Sequence, residues 1–176
     1  EINKKIMKLA KNLERLGTEN AFTVFAEAKK LEATGKPIIY LGLGQPDFKT
    51  PKHVVDAAKK ALDDGHHGYV LSNGILECRQ AVIRKIKKLY NKDIDPERVL
   101  IMPGGKPTMY YAILCFGEPG AEIIHPTPAF PIYESMINYT GSTSVPYDLT
   151  EDKDLKFNPE KILSLITEKT RLLILI

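Results

Sequence analysis

Residues 99–136 read VLIMPGGKPTMYYAILCFGEPGAEIIHPTPAFPIYESM, and this stretch decides the fold class. Val99–Met102 is a short apolar run of strand length, bounded by Pro103-Gly104-Gly105. Residues 106–117 then form a mostly apolar segment of helix length, closed by Pro119-Gly120. Glu122–His125 reads as a second strand, with His125 an ordinary strand residue ahead of Pro126. Pro126-Thr127-Pro128 leads into a helix from about Phe130 to Tyr139. Strands alternating with helices at this spacing are the pattern of βαβ units around a parallel sheet.

The flanking sequence continues the alternation. Ser142–Tyr147 is a strand candidate, Asn158 and Pro159 open a helix as N-cap and first residue, and Arg171–Ile176 reads as a strand buried on both faces. On the other side, Ile6, Leu9, Leu13 and Leu16 recur at helical spacing in a charged segment, which reads as an N-terminal helical arm. A second helix is expected over 20–34, with Asn20 as N-cap and Gly35-Lys36-Pro37 as its stop. Ile38–Leu41 is a short strand candidate. Thr50 and Pro51 stand as N-cap and first residue of a helix closed by Gly65. From Gly74 to about Tyr90, Leu76, Val82, Ile83, Ile86 and Leu89 form an apolar face, while Arg84, Lys85, Lys87 and Lys88 form a solvated one. The expected class is α/β: a three-layer αβα arrangement around a mainly parallel sheet, preceded by the helical arm. A boundary near residue 48 separates the arm and a small segment (1–48) from a larger domain (49–176).

Composition narrows the function classes. With 43% hydrophobic residues in 176, the chain has material for a sizeable core, which argues against disorder or a small disulfide scaffold. Lys+Arg 25 against Asp+Glu 22, spread rather than striped, argues against nucleic-acid binding. No apolar run, Leu172–Ile176 included, is long enough to span a bilayer. No secretory leader pattern is visible, and Cys78 and Cys115 sit in apolar stretches, so they read as reduced core residues of a cytoplasmic protein. His66 and His67 are adjacent while His53 and His125 lie elsewhere, a poor pattern for metal ligation. Beginning at Glu1 and ending within a strand pattern, the sequence reads as part of a longer protein.

In α/β sheets, ligands bind beyond the carboxyl ends of the strands. Gly104-Gly105-Lys106 lies at such a place. Glycines let backbone approach an anion, and a helix start supplies free N–H groups and a positive dipole end. A tight strand-to-helix turn is the alternative. The stretch is not a P-loop, because Leu100 and Pro107 stand where that motif needs Gly and Ser or Thr. Gly42-x-Gly44-x-x-Asp47 is not a dinucleotide fingerprint either, since its third position is Asp47. Tyr69, after Gly65-His66-His67-Gly68, offers a hydroxyl to a ligand or is simply an exposed loop residue. Phe130 offers a ring for stacking or belongs to the core.

Together these residues resemble the class I/II pyridoxal-phosphate-dependent aminotransferases. Leu41-Gly42-Leu43-Gly44-Gln45-Pro46-Asp47-Phe48-x-Thr50-Pro51 is similar to that family's LG-G-PDF-TP signature. The likeness continues at Gly68-Tyr69, Gly74 and Arg79, Gly104-Gly105-Lys106, Pro119-Gly120, and Pro126-x-Pro128-x-Phe130-Pro131-x-Tyr133. The resemblance implies pyridoxal 5'-phosphate as cofactor, amino acid and 2-oxo acid substrates, and a homodimer. It implies that Gly104, Gly105 and Lys106 cradle the cofactor phosphate, that Phe130 stacks on its ring, and that Tyr69 reaches the phosphate of the neighbouring subunit. Gly44 would meet the substrate carboxylate, and the apolar Ala21, Phe22 and Val24 would border the side-chain pocket. Lys106 is not the Schiff-base lysine, which the resemblance places beyond Ile176 together with the other catalytic groups. Cys78, Pro107 and Thr108 depart from the family's usual residues. A carbon–sulfur lyase of the same fold, or a non-catalytic sensor domain of a transcription regulator, would share these motifs.

Overall fold

The structure, a computed structural model, describes residues 8–17, 21–42, 44–149 and 157–176. The chain divides into two compact units, one made of residues 1–38 and 104–176 and the other of residues 39–103.

The first unit is built on β1 (Glu122–Thr127), flanked by β2 (Thr143–Asp148) and β3 (Thr170–Leu173) in the order β2-β1-β3. Both pairings are parallel. Glu122 through Thr127 run opposite Thr143 through Asp148, and the β3 register shifts between Glu122 and Ile123. Successive side chains of a strand point to opposite faces, so Ile123 and Ile124 enter different clusters. Ile123 packs with Ile113 of α4 (Gly105–Phe116) and with Met136 and Ile137 of α5 (Ile132–Thr140). Ile124 packs with Tyr147 of β2 and Ile162 of α6 (Pro159–Ser164). Helices thus cover both faces of the sheet, the αβα layering read from the alternation, and residues 123–126 of β1 are buried.

The local signals behaved as their chemistry predicts. Asn158 caps α6 by accepting from the Glu160 N–H at 2.9 Å, with Pro159 in the first turn. Gly141 ends α5 in the left-handed region at φ 82°. Asn20, the expected cap of α1 (Ala21–Glu32), lies outside the described residues, as does the arm before residue 8. The described part of the arm is a 3-10 turn, Lys11–Arg15. Arg15 donates from Nε to the Asn138 carbonyl at 2.9 Å and from Nη2 to the Tyr139 carbonyl at 2.7 Å. These are carbonyls of the last turn of α5, and that of Asn138 also accepts from the capping Gly141 N–H at 3.0 Å.

Three expectations for this unit need correction. Arg171–Ile176 is not a strand buried on both faces: β3 ends at Leu173 and lies at the sheet edge with β1 as its neighbour, leaving Leu173, Leu175 and Ile176 exposed. Cys115 is not a core residue. It stands two positions after buried Ile113, about 200° around the helix, and is exposed. The helix expected from Phe130 starts at Ile132, after Pro131.

The second unit carries α2 (Lys52–Asp63) and α3 (Leu76–Tyr90). Pro51 occupies the N-cap of α2 rather than its first turn, with no side-chain cap. Cys78 is half-buried on α3 and free, whereas Leu76 and Leu89, at the two ends of the expected apolar face, are exposed. Arg79 is 2% exposed and organises the unit. Its Nε donates to the Gly74 carbonyl at 3.1 Å, and its Nη1 to the Pro96 carbonyl at 2.9 Å and the Glu97 carboxylate at 2.8 Å. Neither Val99–Met102 nor Ile38–Leu41 forms a sheet ladder among the described residues; Ile101 instead donates its N–H to the Asn73 carbonyl at 3.1 Å. No described helix is long and apolar enough to cross a membrane.

Candidate functional site

Gly104 is the N-cap of α4 and takes φ 103°, a backbone conformation that L side chains rarely adopt. The first four N–H positions of a helix have no intrahelical acceptor, and here Pro107 supplies no N–H, which leaves Gly104, Gly105 and Lys106. The first turn holds no acidic side chain to compete for them. A Cβ built on Gly105 would meet no atom within 4 Å, so the space beside that residue is open. Thr108 returns its hydroxyl to the Gly104 carbonyl at 3.2 Å, holding the turn from within. The arrangement suits an anion: backbone donors, a positive helix end and an ammonium on the next residue.

Phe130 follows β1 beyond its carboxyl end, after a cis Thr127–Pro128 bond. Its half-buried ring meets Tyr133 edge to face, with centroids 6.5 Å apart. The Lys106 ammonium lies 5.3 Å from the centroid of Phe130 and 5.3 Å from that of Phe22 on α1. An ammonium between two ring faces is favoured by their quadrupoles. The same lysine borders an apolar hollow of about 430 Å³ between the arm turn, α4 and α5, lined among others by Leu16, Tyr110, Ile132 and Met136.

The structure therefore brings the expected Gly104, Gly105, Lys106 and Phe130 to one place, with Phe22 joining them. Gly44 and Tyr69 belong to the other compact unit. Gly44 is exposed in a loop where a Cβ would meet nothing within 4 Å, and Tyr69 is fully exposed.

One residue that reads as ordinary in the sequence is not ordinary here. His125 is buried among Ile123, Ile124 and Pro126. Its Nδ1 lies 3.0 Å from the Pro126 carbonyl and its Nε2 lies 2.7 Å from the Ser144 hydroxyl. A carbonyl only accepts, so Nδ1 carries the proton and Nε2 accepts from Ser144. Burial pushes the imidazole below its ordinary pKa, against the Pro126 hydrogen bond and the Glu134 charge, which pull it upward. The available signal was a polar side chain inside a strand that the sheet covers on both faces. Tyr147 is similar: burial raises its phenol pKa, and its hydroxyl donates to the Ile174 carbonyl at 3.1 Å.

Residues 36–176 match the family described as aminotransferase class I and II. The chain belongs to the class I and II aminotransferases. It is 32% identical over 169 residues to the aspartate aminotransferase of Bacillus subtilis, covering 96% of this chain and 43% of that protein. It is 37% identical over 152 residues to the aspartate aminotransferase of Pyrococcus horikoshii, covering 86% of this chain and 38% of that one. Among solved structures, the Thermus thermophilus aspartate aminotransferase with maleate superposes with a TM-score of 0.88 at 28% identity, over 97% of this chain and 44% of that chain. The Pyrococcus furiosus alanine aminotransferase superposes with a TM-score of 0.86 at 28% identity, over 94% and 43%. The chain thus spans less than half the length of these aminotransferase relatives.

Proposed function

We propose that this chain is the N-terminal, cofactor-holding part of a cytoplasmic homodimeric aminotransferase that transfers an amino group between an amino acid and a 2-oxo acid. The observation that carries the proposal is the start of α4. Backbone donors stand at a helix start with clear space at Gly105, and the Lys106 ammonium lies 5.3 Å from the centroid of the half-buried Phe130 ring. That donor set and ring fit the phosphate and the flat ring of pyridoxal 5'-phosphate.

When bound, this cofactor supplies an electron sink for bonds broken at the substrate α-carbon. The residues of the chain do the holding. The Gly104, Gly105 and Lys106 N–H groups would donate to the phosphate oxygens, with the helix dipole aligned to their charge. Phe130 would cover one face of the ring and keep water from it. Gly44 offers its N–H to the substrate carboxylate, and Tyr69 offers its hydroxyl to the phosphate held by the second subunit. Residues 1–48 act as arm and small segment, and residues 49–176 as the start of the cofactor-binding domain. The Schiff-base lysine is assigned to sequence after Ile176.

The test is cofactor content and turnover of the full-length protein. It should carry one pyridoxal 5'-phosphate per subunit and convert 2-oxoglutarate to glutamate with an amino acid donor. Elimination without amino transfer would instead make it a lyase, and no cofactor uptake would remove the assignment altogether.

A further inference from the structure

The buried imidazole of His125 has no part in the holding just described, yet its position is specific. It stands two residues before the cis bond through which β1 passes to Phe130. One nitrogen binds the carbonyl of the next residue, Pro126, and the other binds Ser144 on β2. The following carbonyl, of Thr127, is held by the Leu149 N–H at 2.8 Å. The end of β1 is thus tied to β2 by a side chain and by backbone, immediately before it delivers the ring.

We propose that His125 is a positioning residue for the cofactor ring: its neutral imidazole, held between the Pro126 carbonyl and the Ser144 hydroxyl, fixes the strand end that presents Phe130, and proton uptake loosens that end. The proposal rests on the reading of Phe130 as the ring-stacking residue.

The added proton would sit on Nε2, where the Ser144 hydroxyl already donates, so two donors would face each other. The hydroxyl would have to turn, and it has no other partner among the described residues. Glu134, in the first turn of α5, is the charged group set toward His125 and favours the cation. β2 contributes the uncharged Ser144, and β3 lays Leu172 and Leu173 along β1. The side chains bordering the cluster on this face include Tyr110 of α4 and Tyr133 and Tyr139 of α5, which bring no carboxylate or ammonium. Desolvation therefore prevails over Glu134, in line with the lowered pKa. An unfolded histidine titrates near 6.5, so the stabilisation is complete above about that pH and is lost as pH falls from there through the lower folded value.

The experiment uses the full-length protein with 4-fluorophenylalanine at position 130, followed by fluorine NMR from about pH 8 to pH 5, a range spanning the histidine titration. The wild-type signal should move or broaden in one titration below about pH 6.5 and stay flat in His125→Asn, which keeps an N–H donor but cannot titrate there. Ser144→Ala, the milder change, should move the midpoint upward because the neutral form loses its hydroxyl donor. In the holoenzyme, the acid-induced gain in pyridoxal 5'-phosphate release should be about fivefold larger in wild type than in His125→Asn, as expected for one buried hydrogen bond. Equal pH dependence of the fluorine signal in wild type and His125→Asn overturns the positioning role, as does an unchanged midpoint in Ser144→Ala. Failure of the wild type to take up the cofactor overturns the assigned function instead, while the fluorine titration still decides whether His125 governs the Phe130 position.

Discussion

At the start of α4 the donors belong to the backbone, so the side chains around them matter through the space they leave. A Cβ on Gly105 meets nothing within 4 Å, and a valine there places its methyl groups where an anion would sit. Gly105→Val should change unfolding stability by less than about 0.5 kcal/mol, as for a surface change. It should weaken cofactor retention at least about tenfold, because removed backbone contacts to a charged group are each substantial. Parallel thermal melts and cofactor titrations check this, and a stability loss matching the binding loss would assign the glycine to packing. Arg79 is the opposite case. Arg79→Met strips the donor from the Gly74 and Pro96 carbonyls and should cost about 1–3 kcal/mol in urea unfolding. Glu97→Gln should cost less, since that carboxylate is 73% exposed and already solvated. The glycines were legible because their conformational role is local to the chain. His125 and Arg79 were less so, because the partners that fix their roles, Ser144 for the one and Pro96 and Glu97 for the other, stand 17 to 19 residues away.

Among the elements, the junction of α4 and α5 is the tightest. Gly117 follows α4, and a Cβ there would stand 2.6 Å from the Thr140 hydroxyl and 2.8 Å from the Ile113 carbonyl. Gly117→Ala should therefore destabilise by about 1–3 kcal/mol, the usual cost of overpacking. A neutral result would mean that the end of α5 shifts freely. Tyr147 links β2 to the chain beyond β3 through its bond to Ile174, and Tyr147→Phe should cost about 1 kcal/mol. Both are measured by chemical denaturation. The helices and β1 were readable from punctuation and apolar periodicity, which are carried by each segment alone. Val99–Met102 and Ile38–Leu41 were not, since a strand is a relation between two segments and their sequence names no partner. The arm illustrates the same limit: its apolar spacing reads as helix, but the end of α5 holds it as a 3-10 turn.

Over the whole molecule, each compact unit leaves large apolar side chains uncovered. Ile39, Leu41, Phe48, Val70 and Leu71 are exposed in the second unit, and Tyr111, Leu114 and Phe116 in the first. Expressed alone, the 176-residue polypeptide should self-associate at micromolar concentration and bind a hydrophobic dye through these exposed side chains. A monomeric, dye-silent polypeptide by light scattering would show that those side chains find cover within the chain. The strand order carries one more consequence. Among the described residues β1 is the first strand in sequence and the middle strand in space, with β2 and then β3 added to its two edges. On a ribosome, which releases the N-terminal end first, the central strand emerges before either neighbour. Each later strand then finds a template already made, and the nascent sheet grows outward from its oldest member.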